Sequence, residues 1–246
     1  MIDRQSKFGA RVGCARTAAV TTAVVALILA GCSPSVNDDI QVAAGAAHDG
    51  NGMTMNGDVT VGANADASGS DFRTMNGQIM IKDGARVSDC ATVNGKVSLG
   101  ERAEAGDLNT VNGDLELGRD ARVNGSIRLV NGSVRLNKGS AVSGNIGTVN
   151  GRIELLASEV GGDLSNVNGG MVVTDGSLVH GGILIRDASG DPMGKAPRVI
   201  IGRDSEVRGP LEFERTVELY VHESAHIGPV VGATAVSFSG DEPGKL

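Results

Sequence analysis

The sequence predicts an all-β protein: a single-stranded parallel β-helix solenoid of about 19 residues per coil, preceded by a signal peptide. Three observations predict it. A Thr-Val-Asn-Gly pattern recurs with its asparagines at Asn56, Asn76, Asn94, Asn112, Asn131, Asn150 and Asn168, so the gaps are 20, 18, 18, 19, 19 and 18. Within a unit, apolar residues alternate with polar ones, as in Val111, Leu115 and Leu117 against Asn112, Asp114 and Glu116; period two marks a strand with one buried face. The third observation is what is missing. No stretch after the N-terminal segment sustains a 3.6-residue period, glycine makes up 37 of 246 residues, and the chain holds one Tyr, four Phe and no Trp. Glycine penalises helices, and a core without aromatics is narrow. Units this short bury an apolar side only by stacking on their own copies.

The elements follow in chain order. Arg4, Lys7, Arg11 and Arg16 form a basic start, and Thr17 to Ala30 is apolar and uncharged. About 14 residues is short for a membrane span and suits a signal peptide over 1–31. Its end, Leu29-Ala30-Gly31-Cys32, resembles the bacterial lipoprotein lipobox. That resemblance implies cleavage before Cys32, lipid on its thiol and anchoring in a membrane. Ser33 follows in place of the aspartate linked to inner-membrane retention, which implies the outer membrane, periplasmic or surface-facing.

Residues 32–35 are then an anchor segment, and the repeats run over 36–186. A degenerate first copy at Val36-Asn37-Asp38-Asp39-Ile40 lies 19 residues before the one at Asn56. In the unit at 111–129, Gly118-Arg119-Asp120 reads as a turn between two alternating strands, with Val111, Leu117 and Val123 expected to point inward. Residues 187–197, rich in Gly, Pro and Asp, read as a loop. The pattern resumes at Val199-Ile200-Ile201, giving C-terminal coils and a cap over 198–236. Phe213, Tyr220, Phe238, Pro210 and Pro229 are expected to block further pairing at that end. A polar tail fills 237–246.

Charge and cysteines narrow the classes. The chain has 22 basic and 29 acidic residues; without 1–31 the balance is 18 to 28, net −10. An acidic chain argues against nucleic acid. Cys14 leaves with the signal and Cys32 takes lipid, so Cys90 stands alone and is expected to be a buried, inert thiol.

Two families resemble the repeat. The units with Val-x-Gly-x-Ile and Ala-x-Val-x-Gly are similar to bactofilins, polymer-forming β-helical proteins, over roughly 36–230. Leu117-Gly118-Arg119-Asp120-Ala121-Arg122 and Ile201-Gly202-Arg203-Asp204-Ser205-Glu206 resemble the hexapeptide repeat of left-handed β-helix acyltransferases. Here, though, the repeat length drifts, and Leu115 and Ile127 are large where that family prefers small residues.

Among motifs, His222-Glu223-Ser224-Ala225-His226 matches H-E-x-x-H, which needs a helix to bring both histidines to one zinc ion. The solenoid register puts it in an exposed turn. His48 and His180 read as solvated turn residues. No catalytic residue, cofactor or metal site is assigned. The recurrent threonines and asparagines are expected to stack into two ladders that fix register, or else to place Asn-Gly at a corner that needs positive φ. A ligand array for a polysaccharide is the alternative. The function expected is a membrane-anchored envelope scaffold, rigid, non-enzymatic and self-associating. The alternative is a polysaccharide-binding or polysaccharide-cleaving rod.

Overall fold

The computed structural model describes residues 35–187, 196–241 and 243. It is a parallel β-solenoid of about ten turns. Each turn is a triangle of three short strands, and each strand pairs in parallel with its own copy one turn later. Three sheets result, of 10, 11 and 9 strands. One turn shows the plan: Leu108–Asn112 lies in the first sheet, Leu115–Leu117 in the second and Arg122–Val123 in the third. Leu108, Leu115 and Arg122 pair with Ile127, Val134 and Ala141 of the next turn. With parallel strands about 4.8 Å apart, the 11-stranded sheet is a rod of roughly 48 Å.

The core is a single thread of stacked aliphatic columns. Val97, Leu115, Val134 and Ile153 make one column of the second sheet, and Ala105, Val123, Val142 and Val160 one of the third; all are buried. The triangle is too narrow for aromatics except Phe72 and Phe213.

The corners differ in chemistry. The corner between the second and third sheets carries the left-handed backbone. Asn64, Arg102, Asp120, Ala157 and Asp204 sit there at φ between 47° and 56°, in register with glycines such as Gly84 and Gly139. The Asn-Gly corner, between the first and second sheets, needs glycine for a different reason. A Cβ on Gly95 or Gly113 would lie 2.0 Å from the carbonyl oxygen of the preceding turn's glycine. Close approach of stacked backbones, not positive φ, makes this column glycine.

The sequence-level inward placement of Val111 is overturned. Thr110 is buried and Val111 half-exposed, because Leu108 and Thr110 set the inward face of that strand. The insertion at 187–197 falls at the Asn-Gly corner, between the first-sheet strand Ile183–Ile185 and the second-sheet strand Arg198–Ile201. At the C-terminal end a further strand, Ala235–Phe238, pairs with Glu218–His222, two residues into the segment read as polar tail. Beyond that strand, Asp241 and Pro243 are held by two arginines at and beside the second sheet. Asp241 accepts from Arg203 at 2.5 Å, and the Pro243 carbonyl from Arg198 at 3.3 Å. Of the aromatics expected in a cap, Phe213 is in the core, Tyr220 lies outside it beneath the Arg198 guanidinium (4.7 Å), and Phe238 packs edge-on against His222.

Candidate interaction surface

The first sheet and its flanking corners hold most of the residues singled out by the repeat. Asn37, Asn56, Asn76, Asn94, Asn112, Asn131, Asn150 and Asn168 form one continuous amide ladder. Each Nδ2 donates to the Oδ1 of the asparagine one turn earlier, at 2.7–2.9 Å. Because every amide points the same way, the bonds polarise one another. The acceptor end, Asn168 Oδ1, takes a bond from the Arg215 guanidinium at 3.1 Å. A cation there suits the negative end of an aligned row of dipoles. The side chains remain exposed.

The threonines lie on the other side of the wall. Thr54, Thr74, Thr92, Thr110 and Thr148 are buried. Thr74 donates to the Gly57 carbonyl at 2.9 Å, Thr92 to that of Gly77 at 3.0 Å and Thr148 to that of Gly132 at 3.1 Å. The hydroxyls satisfy the carbonyls of the glycine column, so they present nothing to a ligand. The residue between Thr and Asn is what faces out. Met55, Met75, Val93, Val111, Val130, Val149 and Val167 form an apolar stripe beside the amide ladder, half-exposed along its length. Beyond it runs a second outward column, Met53, Arg73, Ala91, Asn109, Arg128, Gly147 and Ser165, each in register with the next.

The other two faces are charged. On the second sheet Glu116, Arg135 and Glu154 follow one another, with Lys96–Glu116 and Arg135–Glu154 ion pairs at 2.6 Å. The Lys96 ammonium holds the Glu116 carboxyl below its usual range. On the third, Asp66, Arg86, Glu104 and Arg122 alternate.

A further ladder, at the corner entering the first sheet, escaped the sequence reading. Asp89, Asp107, Asn145 and Asp163 each accept, through a side-chain oxygen, the backbone N–H one turn later at 2.7–2.8 Å. Asn51, Asp71 and Ser126 occupy the same column with bonds of 2.8–3.3 Å. Its signal was available: a short acceptor stands immediately before the apolar residue that opens six successive strands of this sheet, from Phe72 to Leu164. Burial pushes the Asp89 carboxyl upward, against the pull of the Asp107 N–H bond, and the charges of Asp107 and Asp71 add to the rise. The neighbouring Cys90 is fully buried, and its thiol is pushed far up by burial first and by Asp89 next, which makes it inert.

His180 and His226 are exposed as expected, and His222 is not. His222 is buried rather than exposed, its Nδ1 within 2.8 Å of Ser224 Oγ. It belongs to a second-sheet strand and His226 to a third-sheet strand, so the pair shares no helical face. His180 lies 2.7 Å from Glu159 and 3.0 Å from Arg208, while His48 stacks on Phe72 at 5.8 Å. Among the described residues no group of three or more His, Cys, Asp or Glu is placed to hold a metal ion, and no helix is long and apolar enough to cross a membrane. The lipobox, Cys32 included, lies outside the described residues.

Comparison of the chain with protein-family models, with curated proteins and with solved structures finds no match.

Proposed function

We propose that the chain is a lipid-anchored scaffold of the cell envelope: a stiff, non-enzymatic rod held to the outer membrane through Cys32, which presents its long faces to partners and to copies of itself. One observation carries the reading. From Asn37 to Asn168 the stack is unbroken, and every turn is tied to the next by backbone pairing and an amide bond. Such a construction fixes distance and direction along its axis, which is what a scaffold supplies. Ser35 already bridges Thr54 of the first sheet, so only two residues separate Cys32 from the rod. A lipid there would hold the rod by its end with almost no tether.

The lipobox resemblance supports the anchor, and the stacked parallel coils are in keeping with the bactofilin-like pattern. Polysaccharide binding is the second reading. With the threonines buried it rests on the exposed amides alone. Its apolar neighbours are aliphatic, and they offer sugar rings no aromatic platform.

The test is Cys32→Ser in cells fed radiolabelled fatty acid. The expected result is loss of label and either a soluble product or an uncleaved precursor. Normal labelling of the serine variant would overturn the anchor.

A further inference from the structure

Among the described residues nothing covers the first-sheet face over seven of its turns, and it lacks the rows of alternating charge of the other two. Over these turns its middle column is Met55, Met75, Val93, Val111, Val130, Val149 and Val167, bordered by the amide ladder. Its other border carries charge only at Arg73 and Arg128, each held toward the corner, Arg73 by Asp71 at 3.3 Å and Arg128 by Asp107 at 3.7 Å. Long columns of aliphatic residues and stacked amides in register are the kind of surface that two sheets use to interdigitate face to face.

We infer that this face binds a second copy of the same chain, antiparallel, about a two-fold axis at the level of Asn109 and Val111. The inference deepens the self-association in the scaffold reading; an antiparallel pair carries its two Cys32 anchors at opposite ends, so copies held in one membrane pair this way with the rods lying flat on it. The argument for this occupant is fit. A two-fold axis in the plane of the interface and perpendicular to the rod lays each column on its own reverse. The apolar stripe then covers itself, with Val111 on Val111, Val93 on Val130 and Met75 on Val149. The amide ladder meets the amide ladder, and each amide still has a hydrogen and a lone pair to offer.

The outer column decides the direction. Read forward it is Met53, Arg73, Ala91, Asn109, Arg128, Gly147, Ser165. Laid on its reverse, Arg128 of one copy meets Ala91 of the other, and Arg73 meets Gly147. Each bulky side chain faces a small one. The surface over Gly147 and Ser165 is in fact a depression of about 180 Å³, walled by Arg128, Val149, Val167 and Arg186. It lies where Arg73 and Met53 of the second copy would come down. A parallel pair offers no such match, because it would lay this column on the asparagines.

The rod is acidic, yet this face bears no unpaired carboxylate along the stripe. The cations that meet, Arg73 against the Arg128 and Arg186 walls of the depression, repel and weaken the pair, although Arg73 and Arg128 keep Asp71 and Asp107 as partners. Seven turns at about 4.8 Å and a width of roughly 13 Å give on the order of 450 Å² per copy. That lies at the low end of specific interfaces and makes the pair reversible and concentration-dependent.

Sedimentation velocity on the purified full chain, from about 5 µM to about 500 µM, tests it in the weak range that such an area implies. Wild type should pass from monomer to dimer and stop there. Val111→Lys sets two ammonium groups against each other at the axis and should weaken association at least tenfold, with an unchanged thermal midpoint showing that the half-exposed position still folds. Asn109→Cys, treated with a short bis-maleimide at concentrations where wild type is dimeric, should give a 109–109 cross-link in peptide maps, because facing sheets lie about 10 Å apart, beyond the reach of a direct disulfide. A wild type that stays monomeric, dimers of Val111→Lys as tight as wild type, or absence of the 109–109 link would each overturn the proposal. So would species growing without limit, which mean addition at the rod ends. Loss of the anchor at Cys32 moves none of these readouts, so the two proposals fail separately.

Discussion

At Asp89 two demands of the stack conflict. The column needs a short side-chain oxygen to accept the N–H of Asp107, and aspartate supplies it at 2.8 Å. Asp71 and Asp107 occupy the same column one turn away on either side, so burial and like charge both disfavour ionisation and the folded carboxyl titrates above its unfolded value. For an acid shifted in this direction the ionised form is the penalised one. The fold therefore loses stability as pH rises from the ordinary carboxylate range through the raised value. Asparagine keeps the accepting oxygen and cannot ionise. Asp89→Asn should raise the denaturation midpoint at neutral pH, and the gain should vanish below about pH 4, where the aspartate is protonated even unfolded. Unfolding titrations of both proteins across pH 3–8 check this, and a gain independent of pH would contradict the account.

At the scale of the element, the repeat unit is a division of labour among consecutive residues of one short strand. In Leu108–Asn112, Leu108 and Thr110 face the core, Val111 and Asn112 face out, and Gly113 lets the next backbone come within reach. The threonine is a polar residue in an apolar core because it closes a hydrogen bond that stacking would leave open. Thr74 is the clearest case, since its Oγ1 donates to the Gly57 carbonyl at 2.9 Å in a buried setting. The space tolerates an apolar side chain, as Leu129 shows in the same column one turn beyond Thr110. Thr74→Val should therefore fold and lose about 1–2 kcal/mol, the cost of an unsatisfied buried carbonyl. Chemical denaturation measures it, and a neutral result would mean that the carbonyl finds another donor.

Over the whole molecule, stability is a sum of turns and of the contacts between them. Asn-ladder bonds, backbone pairing and the acceptor column all run along the axis, so a fault at mid-rod separates what lies on either side. Gly113→Ala is such a fault. Its Cβ would sit 2.0 Å from the Gly95 carbonyl oxygen, a backbone atom that cannot swing away. The turn must open, at a cost of about 3 kcal/mol or more. Unfolding followed by circular dichroism should change from one transition to two, with a smaller denaturant slope for each. A single transition of wild-type slope would show that the rod tolerates a displaced turn.

The sequence by itself determined the architecture, the coil length and the amide ladder. A pattern recurring every 18–20 residues has few ways to bury its apolar side, and exposed asparagines in register have neighbours in reach. It did not determine which side of the first sheet is the outside. Alternation counted through Val111, Leu115 and Leu117 keeps one parity, but the corner Asn112-Gly113-Asp114 changes it, and the inward residues before the corner are Leu108 and Thr110. The tertiary structure decided this because the bond that draws threonine inward, to a glycine carbonyl of the preceding turn, exists only once the turns are stacked. For the same reason Asp71, Asp89 and Asp107 take up their role only on stacking, which puts a backbone N–H above each carboxylate.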